Sequence, residues 1–287
     1  MIRTIDYNME NIKKIGPFIF DDSKTTMEYG FYYKADLVVP FDEAKRTIRV
    51  WLPEDYDFFN QNKRFPVIYF SDGQNLVNEY LTAFGCWELD KVAHKLFKNE
   101  NISFIAIGID SPKEHIKREN ELNPPIVPKR KTDINHPMGD VFINYIVNEL
   151  KPLIDEVFFT KSDLKNTAVA GSSMGGIMAF YAGATNPNVF SFSLDFSPAF
   201  LVYPKKQWKE ILDSLDFNKA KNHQFYLYVG GKGFEKSFIK HVFMTFSHLI
   251  EHGIDINNIG FLCDKKMPHH EIAWNKYLYD AIYFWLK

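Results

Sequence analysis

The chain has 287 residues, and its 46% hydrophobic and 16% aromatic content is ample for a large core. The formal net charge is −2 with both signs interspersed, which argues against a nucleic-acid or anionic-membrane surface. No run of about 18 apolar residues indicates a transmembrane helix. Residues 1–8 lack the pattern of a signal peptide, so we expect a cytoplasmic location and free thiols at Cys86 and Cys263.

The first predicted elements are two antiparallel strands at the edge of a sheet. Residues Phe31–Val39 and Thr47–Leu52 are rich in β-branched and aromatic residues. The charged residues Asp42 to Arg46 between them favour a turn. We assign residues 1–45 to N-terminal edge strands.

From residue 65 onward, predicted strands and helices alternate. Continuous apolar runs predict strands buried on both faces, and apolar residues spaced three and four apart predict helices. The predicted strands are Phe65–Phe70, Ile102–Ile109, Thr167–Ala170, Phe192–Phe196, Phe225–Val229 and Ile259–Cys263. The predicted helices are Trp87–Phe97, Val141–Phe158, Met174–Ala184, Trp208–Leu215, Glu235–His252 and Glu271–Leu286. This alternation favours a mostly parallel α/β sheet with helices on both faces, in one domain over residues 1–287.

Residues 111–139 interrupt this pattern, because they are rich in Pro, Lys and Arg and have little periodicity. A long irregular segment after the carboxyl end of a strand is typical of a lid or of a wall of a binding site. We predict an active-site insert here. For its basic residues Lys129–Lys131 and Arg118 we favour a solvated charged loop, and a contact to an anionic ferric siderophore is the alternative.

The most informative motif is G-x-S-x-G in residues 171–175, centred on Ser173. A predicted strand enters it and a predicted helix leaves it, as in the nucleophile elbow of serine hydrolases. The sharp turn would lift the serine side chain above the edge of the sheet. Gly171 and Gly175 would avoid collisions with the neighbouring strand and helix. We therefore predict that Ser173 is a nucleophile.

A base and an acid should follow in the chain, in the order serine, acid, histidine. His269 and His270 lie just after the last predicted strand, from which an imidazole can reach the elbow, and we favour His269. Glu235 is the only carboxylate in the loop after the penultimate strand, and we predict it as the acid. Capping of the next helix is the alternative role for Glu235, and Asp195 and Asp264 are reserve acids.

The remaining chemistry follows from the same arrangement. The backbone N–H groups of Met174 and Gln74 are predicted to form an oxyanion hole, the second because its loop contains a glycine. Metal-binding, redox, phosphate-binding and dinucleotide-binding motifs are missing from the sequence. Adjacent residues such as His269, His270 and Glu271 rarely converge on one ion, so we expect neither a metal nor a cofactor.

Seven segments together resemble one known family. They are R-V-W-L-P at 49–53 with Tyr56, F-P-V-I-Y at 65–69, D-G-Q-N at 72–75, R-x-x-E-L-N-P at 118–124, G-S-S-M-G-G at 171–176, S-P at 197–198 and H-x-E-x-x-W at 269–274. From about residue 45 to its end, the chain resembles the "putative esterase" branch of the α/β-hydrolases. That branch includes esterase D, feruloyl esterases, enterobactin- and bacillibactin-type siderophore esterases and mycolyltransferases.

The resemblance implies an α/β-hydrolase fold and favours His269 over His270 as the base. It also implies a substrate cleft, for which we select Arg118, Glu121, Trp87 and Trp274 as contacts. The acid departs from the family pattern, because family members often carry G-T-x-D or G-x-x-E directly after the strand. Here that position falls near Gly233, two residues before Glu235. A Ser–His dyad is the alternative to a triad.

We predict a serine carboxylic-ester hydrolase that forms an acyl-enzyme on Ser173 and acts on a small-molecule ester. No nucleic-acid or membrane partner is expected, and the sequence does not indicate an oligomeric state. The alternatives are a siderophore trilactone esterase, an acyltransferase and a non-catalytic binding protein on a hydrolase scaffold.

Overall fold

The computed structural model describes residues 13–82 and 85–287. Residues 1–12, which include the segment used for the signal-peptide prediction and the start of the predicted edge segment, lie outside the described residues. None of the helices in the described ranges is long and apolar enough to cross a lipid bilayer.

A single ten-stranded sheet runs through the described part of the chain, in the order β1-β2-β3-β4-β6-β5-β7-β8-β9-β10. The strands are β1 (Lys14–Ile15), β2 (Phe18–Phe20), β3 (Phe31–Val39), β4 (Asp42–Leu52), β5 (Val67–Ser71), β6 (Ile105–Ile109), β7 (Thr167–Ser172), β8 (Phe192–Phe196), β9 (Gln224–Gly230) and β10 (Ile259–Asp264). Neighbours from β1 to β4 and the pair β4–β6 are antiparallel. All pairs from β6 to β10 are parallel.

Helices cover both faces of this sheet. They are α1 (Leu89–Glu100), α2 (His115–Glu121), α3 (Gly139–Tyr145), α4 (Lys151–Val157), α5 (Met174–Thr185), α6 (Lys205–Ser214), α7 (Ile239–Glu251) and α8 (Glu271–Leu286). A π-helical turn, Ile146–Leu150, joins α3 to α4. One apolar cluster contains side chains of α3 to α7, and the other contains those of α1 and α8. The predicted α/β-hydrolase class is confirmed.

The N-terminal half of the sheet differs from the prediction in two ways. Residues Asp42 to Arg46 form the start of β4 rather than a turn, and the turn lies at residues 40–41. These charged residues tolerate a strand because Arg46 pairs with Asp42 and Glu121. The sheet also extends beyond β3, since β1 and β2 add two short strands at its edge.

Two further segments are more ordered than their composition indicates. The insert 111–139 contains the helix α2, and Asn120 within it accepts backbone hydrogen bonds from residues 135 and 136. The predicted helix from Glu235 to His252 begins instead as a 3₁₀ turn, Gly233–Ser237, before α7. That turn is important for the position of Glu235.

Candidate active site

Ser173 lies at the sharp turn between β7 and α5. Its backbone has φ 59° and ψ −117°, a conformation that few non-glycine residues adopt. The Ser173 N–H donates to the carbonyl of Phe196 at 2.9 Å, and the Ser173 carbonyl accepts from Ala199 N–H at 3.0 Å. The strained turn is therefore held by the end of β8 and the loop after it.

The glycines of the motif are required by close packing. A Cβ on Gly171 would lie 2.5 Å from the carbonyl carbon of Gly175, and a Cβ on Gly175 would lie 2.2 Å from Ser71 Oγ. Such distances are far below van der Waals contact. The elbow geometry inferred from the sequence thus has a direct steric cause.

Glu235 and His269 form a hydrogen-bonded pair at the neighbouring strand ends. Glu235 Oε2 contacts His269 Nδ1, while Glu235 Oε1 accepts from the Gly230 N–H at 2.9 Å. Since β9 and β10 are parallel and in register from Ile259 to Asp264, the loops that follow them emerge side by side. The 3₁₀ turn then returns Glu235, which is fully buried, to the end of β9.

Aromatic rings fix the plane of the His269 imidazole. Its centroid lies 4.6 Å from the ring of Phe238 and 5.2 Å from the ring of Trp274, which meets it edge-on. Because Nδ1 faces a carboxylate, it is the nitrogen that carries the proton of a neutral imidazole. This leaves Nε2 as the nitrogen that can accept a proton.

Ser173 and His269 line one cavity of about 500 Å³, which we call the serine cleft. Gln74, Arg118 and Trp274 also line it. The cleft opens at the carboxyl ends of the parallel strands, where ligands bind in sheets of this kind.

Of the two predicted oxyanion residues, Gln74 lines this cleft and Met174 directly follows Ser173 in the chain. Met174 is the first residue of α5, so its N–H is among those without a partner inside the helix. The Gln74 side chain donates to Ser111 Oγ at 2.8 Å and accepts from the Ser111 N–H at 3.0 Å, which ties its loop to the loop after β6.

Arg118 holds the same loop from the other side. Its Nε and Nη2 donate to the two carboxylate oxygens of Asp72, both at 2.6 Å. Asp72 has φ 58°, so this bidentate pair stabilises a left-handed residue directly before Gly73. Arg118 therefore lines the cleft with its charge already paired.

Two of the predicted substrate contacts lie elsewhere. Trp87 is buried in the core and packs against the rings of Phe196 and Trp274, outside the lining of the serine cleft. Glu121 accepts from Arg46 Nη1 at 2.7 Å and from Nη2 at 3.0 Å. Burial raises the pKa of Glu121 to about 7. Neither residue lines the serine cleft.

The alternative acids and the alternative base have other partners. Asp195 is fully buried within β8, where burial raises its pKa well above the ordinary value and the Ser193 hydroxyl donates to it at 3.1 Å. Asp264 accepts from the Tyr277 hydroxyl. His270 Nδ1 accepts from the Ile272 N–H at 3.2 Å and caps α8.

The basic residues Lys129–Lys131 of the insert lie away from the serine cleft, whereas Arg118 lines it. Lys129 Nζ pairs with Glu210 at 2.9 Å on the surface, and Arg130 donates to the Leu201 carbonyl at 2.8 Å. Neither these residues nor Lys131 line the cleft. The interpretation of residues 129–131 as a solvated charged loop fits these contacts.

One contributor to the site was not assigned a role from the sequence. Ser197 has φ 44°, and its hydroxyl accepts from Trp274 Nε1 at 2.9 Å. It thereby fixes the ring that packs against His269. The S-P pair at 197–198 marked the position, but only the spatial proximity of β8 and α8 reveals what the serine does.

Comparisons with known proteins identify the family and the fold of this chain. The family model described as "Putative esterase" matches residues 42–236. The siderophore triacetylfusarinine C esterase of Aspergillus fumigatus is 29% identical over 138 residues, which make up 47% of this chain and 44% of that protein. The match thus spans less than half the length of this curated relative.

Two solved structures illustrate the likeness of fold. A ferulic acid esterase superposes with a TM-score of 0.66 at 15% identity, covering 90% of this chain and 98% of the other. The enterobactin esterase of Shigella flexneri superposes with a TM-score of 0.68 at 18% identity, covering 92% of this chain and 61% of the other. Because the family model covers well over half of its length, this chain belongs to the "Putative esterase" family.

Proposed function

We propose that the protein is a carboxylic-ester hydrolase that works through an acyl-enzyme on Ser173. The observation that carries this proposal is that His269, which is paired with Glu235, lines the same cleft as a strained serine at an elbow. A nucleophile, a base and a group that orients the base are the three parts that acyl transfer requires. Family membership independently supports ester hydrolysis.

In the first half of the reaction, Ser173 Oγ attacks the ester carbonyl carbon while His269 Nε2 takes the hydroxyl proton. The carbonyl oxygen becomes an oxyanion, which the N–H groups of Met174 and Gln74 would stabilise. The bond from carbon to the alcohol oxygen then breaks, and His269 returns the proton to that oxygen. The alcohol leaves and the acyl group stays on Ser173.

In the second half, a water molecule replaces the alcohol. His269 Nε2 removes a proton from the water as its oxygen attacks the acyl carbon. Collapse of the second tetrahedral intermediate breaks the bond to Ser173 Oγ, which recovers its proton from His269. Throughout, Glu235 keeps Nδ1 protonated and stabilises the imidazolium.

A cytoplasmic location and a single-domain organisation stay predictions.

Covalent labelling tests the proposed role of Ser173. A fluorophosphonate probe is expected to label the wild-type protein on Ser173, and the Ser173→Ala variant should not be labelled. Hydrolysis of p-nitrophenyl acetate by that variant is expected to fall by at least about 10³-fold in kcat/KM, because the nucleophile is lost. Circular dichroism is the control that the variant is folded. Wild-type protein that is folded but unlabelled would contradict the proposal.

A further inference from the structure

A second cavity of about 560 Å³ adjoins the serine cleft, and we call it the acidic chamber. His270 and Glu271, which directly follow the proposed base, line both cavities. The two spaces therefore meet on the histidine side of the cleft. This is the side on which the proposed mechanism places the leaving alcohol, because His269 must protonate its oxygen.

The walls of the acidic chamber carry an excess of negative charge. One ammonium group and five carboxylate residues line it. The carboxylate residues are Glu28, Glu79, Glu88, Asp90 and Glu271. The ammonium group of Lys91 is shared between Glu88 at 2.8 Å and Glu28 at 3.2 Å. Among the described residues, neither Glu79 nor Glu271 is paired with a lysine or an arginine.

Asp90 has a structural role in this wall. Its Oδ2 accepts from the backbone N–H of Glu28 at 2.8 Å and of Tyr29 at 3.3 Å. It thereby fixes the segment before β3 against α1. The carboxylates left to face a ligand are consequently those of the two glutamates without a cation.

Glu271 stands out because it is buried without a lysine or arginine partner. It is only 5% exposed, and the hydrogen bond that its carboxylate accepts comes from its own backbone N–H. The nearest basic atom is His270 Nδ1 at 3.8 Å. That nitrogen accepts a hydrogen bond from the Ile272 N–H, so in this tautomer it carries no proton to share. A buried carboxylate that no cation balances is costly, and a ligand with a positive charge would reduce that cost.

We propose that the acidic chamber receives a cationic group on the alcohol portion of the ester, with Glu271 as its main counter-ion at the junction of the two cavities. This inference rests on the proposed esterase function and adds the class of substrate, an ester of an amino or quaternary ammonium alcohol. The alternative of an anionic siderophore substrate is disfavoured by the same charges. Burial raises the pKa of Glu271, and a bound cation would oppose that effect.

The test compares two esters that differ only in charge. Acetylcholine and 3,3-dimethylbutyl acetate have nearly the same shape, because a quaternary nitrogen in one replaces a quaternary carbon in the other. The wild-type enzyme is expected to prefer acetylcholine by about tenfold in kcat/KM at low salt, and the preference should shrink in about 0.5 M NaCl as charges are screened.

The matched variants are Glu271→Gln and Glu210→Gln. Glu271→Gln is expected to reduce the ratio of the two kcat/KM values by about fivefold, because it removes one unpaired charge at constant shape. Glu210 lies on the surface outside both cavities, so Glu210→Gln should leave the ratio at its wild-type value. A wild-type ratio of one or less, or a ratio unaffected by Glu271→Gln, would overturn the proposal.

A binding measurement separates this proposal from the proposed function. Calorimetric titration of the Ser173→Ala variant with each ester should show tighter binding of acetylcholine. Equal binding of the two esters would overturn the proposal that the acidic chamber receives a cation, even if the wild-type enzyme hydrolyses p-nitrophenyl acetate. Tighter binding of acetylcholine, without labelling or hydrolysis by wild-type protein, would overturn the esterase proposal and leave the chamber standing.

Discussion

Glu235 reaches His269 because the 3₁₀ turn Gly233–Ser237 folds the chain back over the end of β9. The sequence identifies Glu235 as the only carboxylate of that loop, but it predicts a regular helix starting there. In a regular helix Glu235 would simply complement the helix dipole. The short turn instead lets one carboxylate oxygen face Gly230 and the other face His269.

Replacing Glu235 tests whether the orienting acid is needed. We expect Glu235→Gln to lower kcat for p-nitrophenyl acetate by about 10²–10⁴-fold, because an amide N–H facing Nδ1 favours the wrong imidazole tautomer. KM should change little, since Glu235 lies behind the histidine. Steady-state kinetics measure both.

The control is Asp264→Asn, at one of the two reserve acids of the sequence prediction. Asp264 bonds Tyr277 and the exposed Lys276, so its loss should change kcat less than about threefold. A large loss in Asp264→Asn together with full activity in Glu235→Gln would reverse the assignment of the acid.

At the scale of secondary-structure elements, the strand β7 and the helix α5 approach so closely that their glycines touch. The sequence predicts this elbow correctly, since a strand, a G-x-S-x-G motif and a helix are local signals. It does not reveal that Ser71, at the end of β5, fills the remaining space beside Gly175. Contacts between residues so distant in sequence depend on strand order, which periodicity does not encode.

A pair of substitutions tests this packing. We expect Gly175→Ala to destabilise the protein by about 1–3 kcal/mol, because its Cβ would lie 2.2 Å from Ser71 Oγ. Adding Ser71→Ala should restore most of that loss, since the next contacts are at 3.4 Å and 3.5 Å. Urea unfolding of the four proteins gives the coupling free energy.

Ser71→Ala alone should be nearly neutral, because Ser71 Oγ has no hydrogen-bond partner in the described structure. Strict additivity of the two substitutions would contradict a direct clash at this contact. It would instead place the cost of Gly175→Ala in the backbone of the elbow.

Over the whole molecule, the parallel half of the sheet follows from sequence pattern and the N-terminal edge does not. Buried parallel strands such as β5 and β6 consist largely of continuous apolar runs, which can be recognised from the sequence alone. The start of β4 is charged, and only the buried ion pairs of Arg46 explain its strand conformation. The likeness of the fold to solved esterases extends over about nine-tenths of the chain.

The pH dependence of global stability should carry the signature of Asp195. Its pKa in the folded protein is raised by burial, so the group stabilises the fold fully only below its unfolded pKa, near 3.8. That stability is lost as pH rises toward the folded pKa. The unfolding free energy of Asp195→Asn minus that of wild type should therefore rise by about 1.4 kcal/mol per pH unit between the unfolded and the folded pKa of Asp195.

Urea unfolding at successive pH values upward from about 4 measures this gain. The surface variant Asp216→Asn serves as the control for loss of one carboxylate, and its slope against pH should be clearly smaller. Parallel slopes in the two variants would show that Asp195 ionises freely in the folded protein.

The two backbone hydrogen bonds of Ser173 to Phe196 and Ala199 have a consequence for how activity can be modulated. Because the backbone of the nucleophile is hydrogen-bonded to the end of the next strand, it cannot shift independently of that strand. The position of Ser173 is therefore fixed when the sheet assembles. The histidine and its acid instead sit on two separate loops, which follow β10 and β9. Drift in substrate preference over evolution should therefore accumulate in those loops and in the chamber beside them, while residues 196–199 stay unusually intolerant of change.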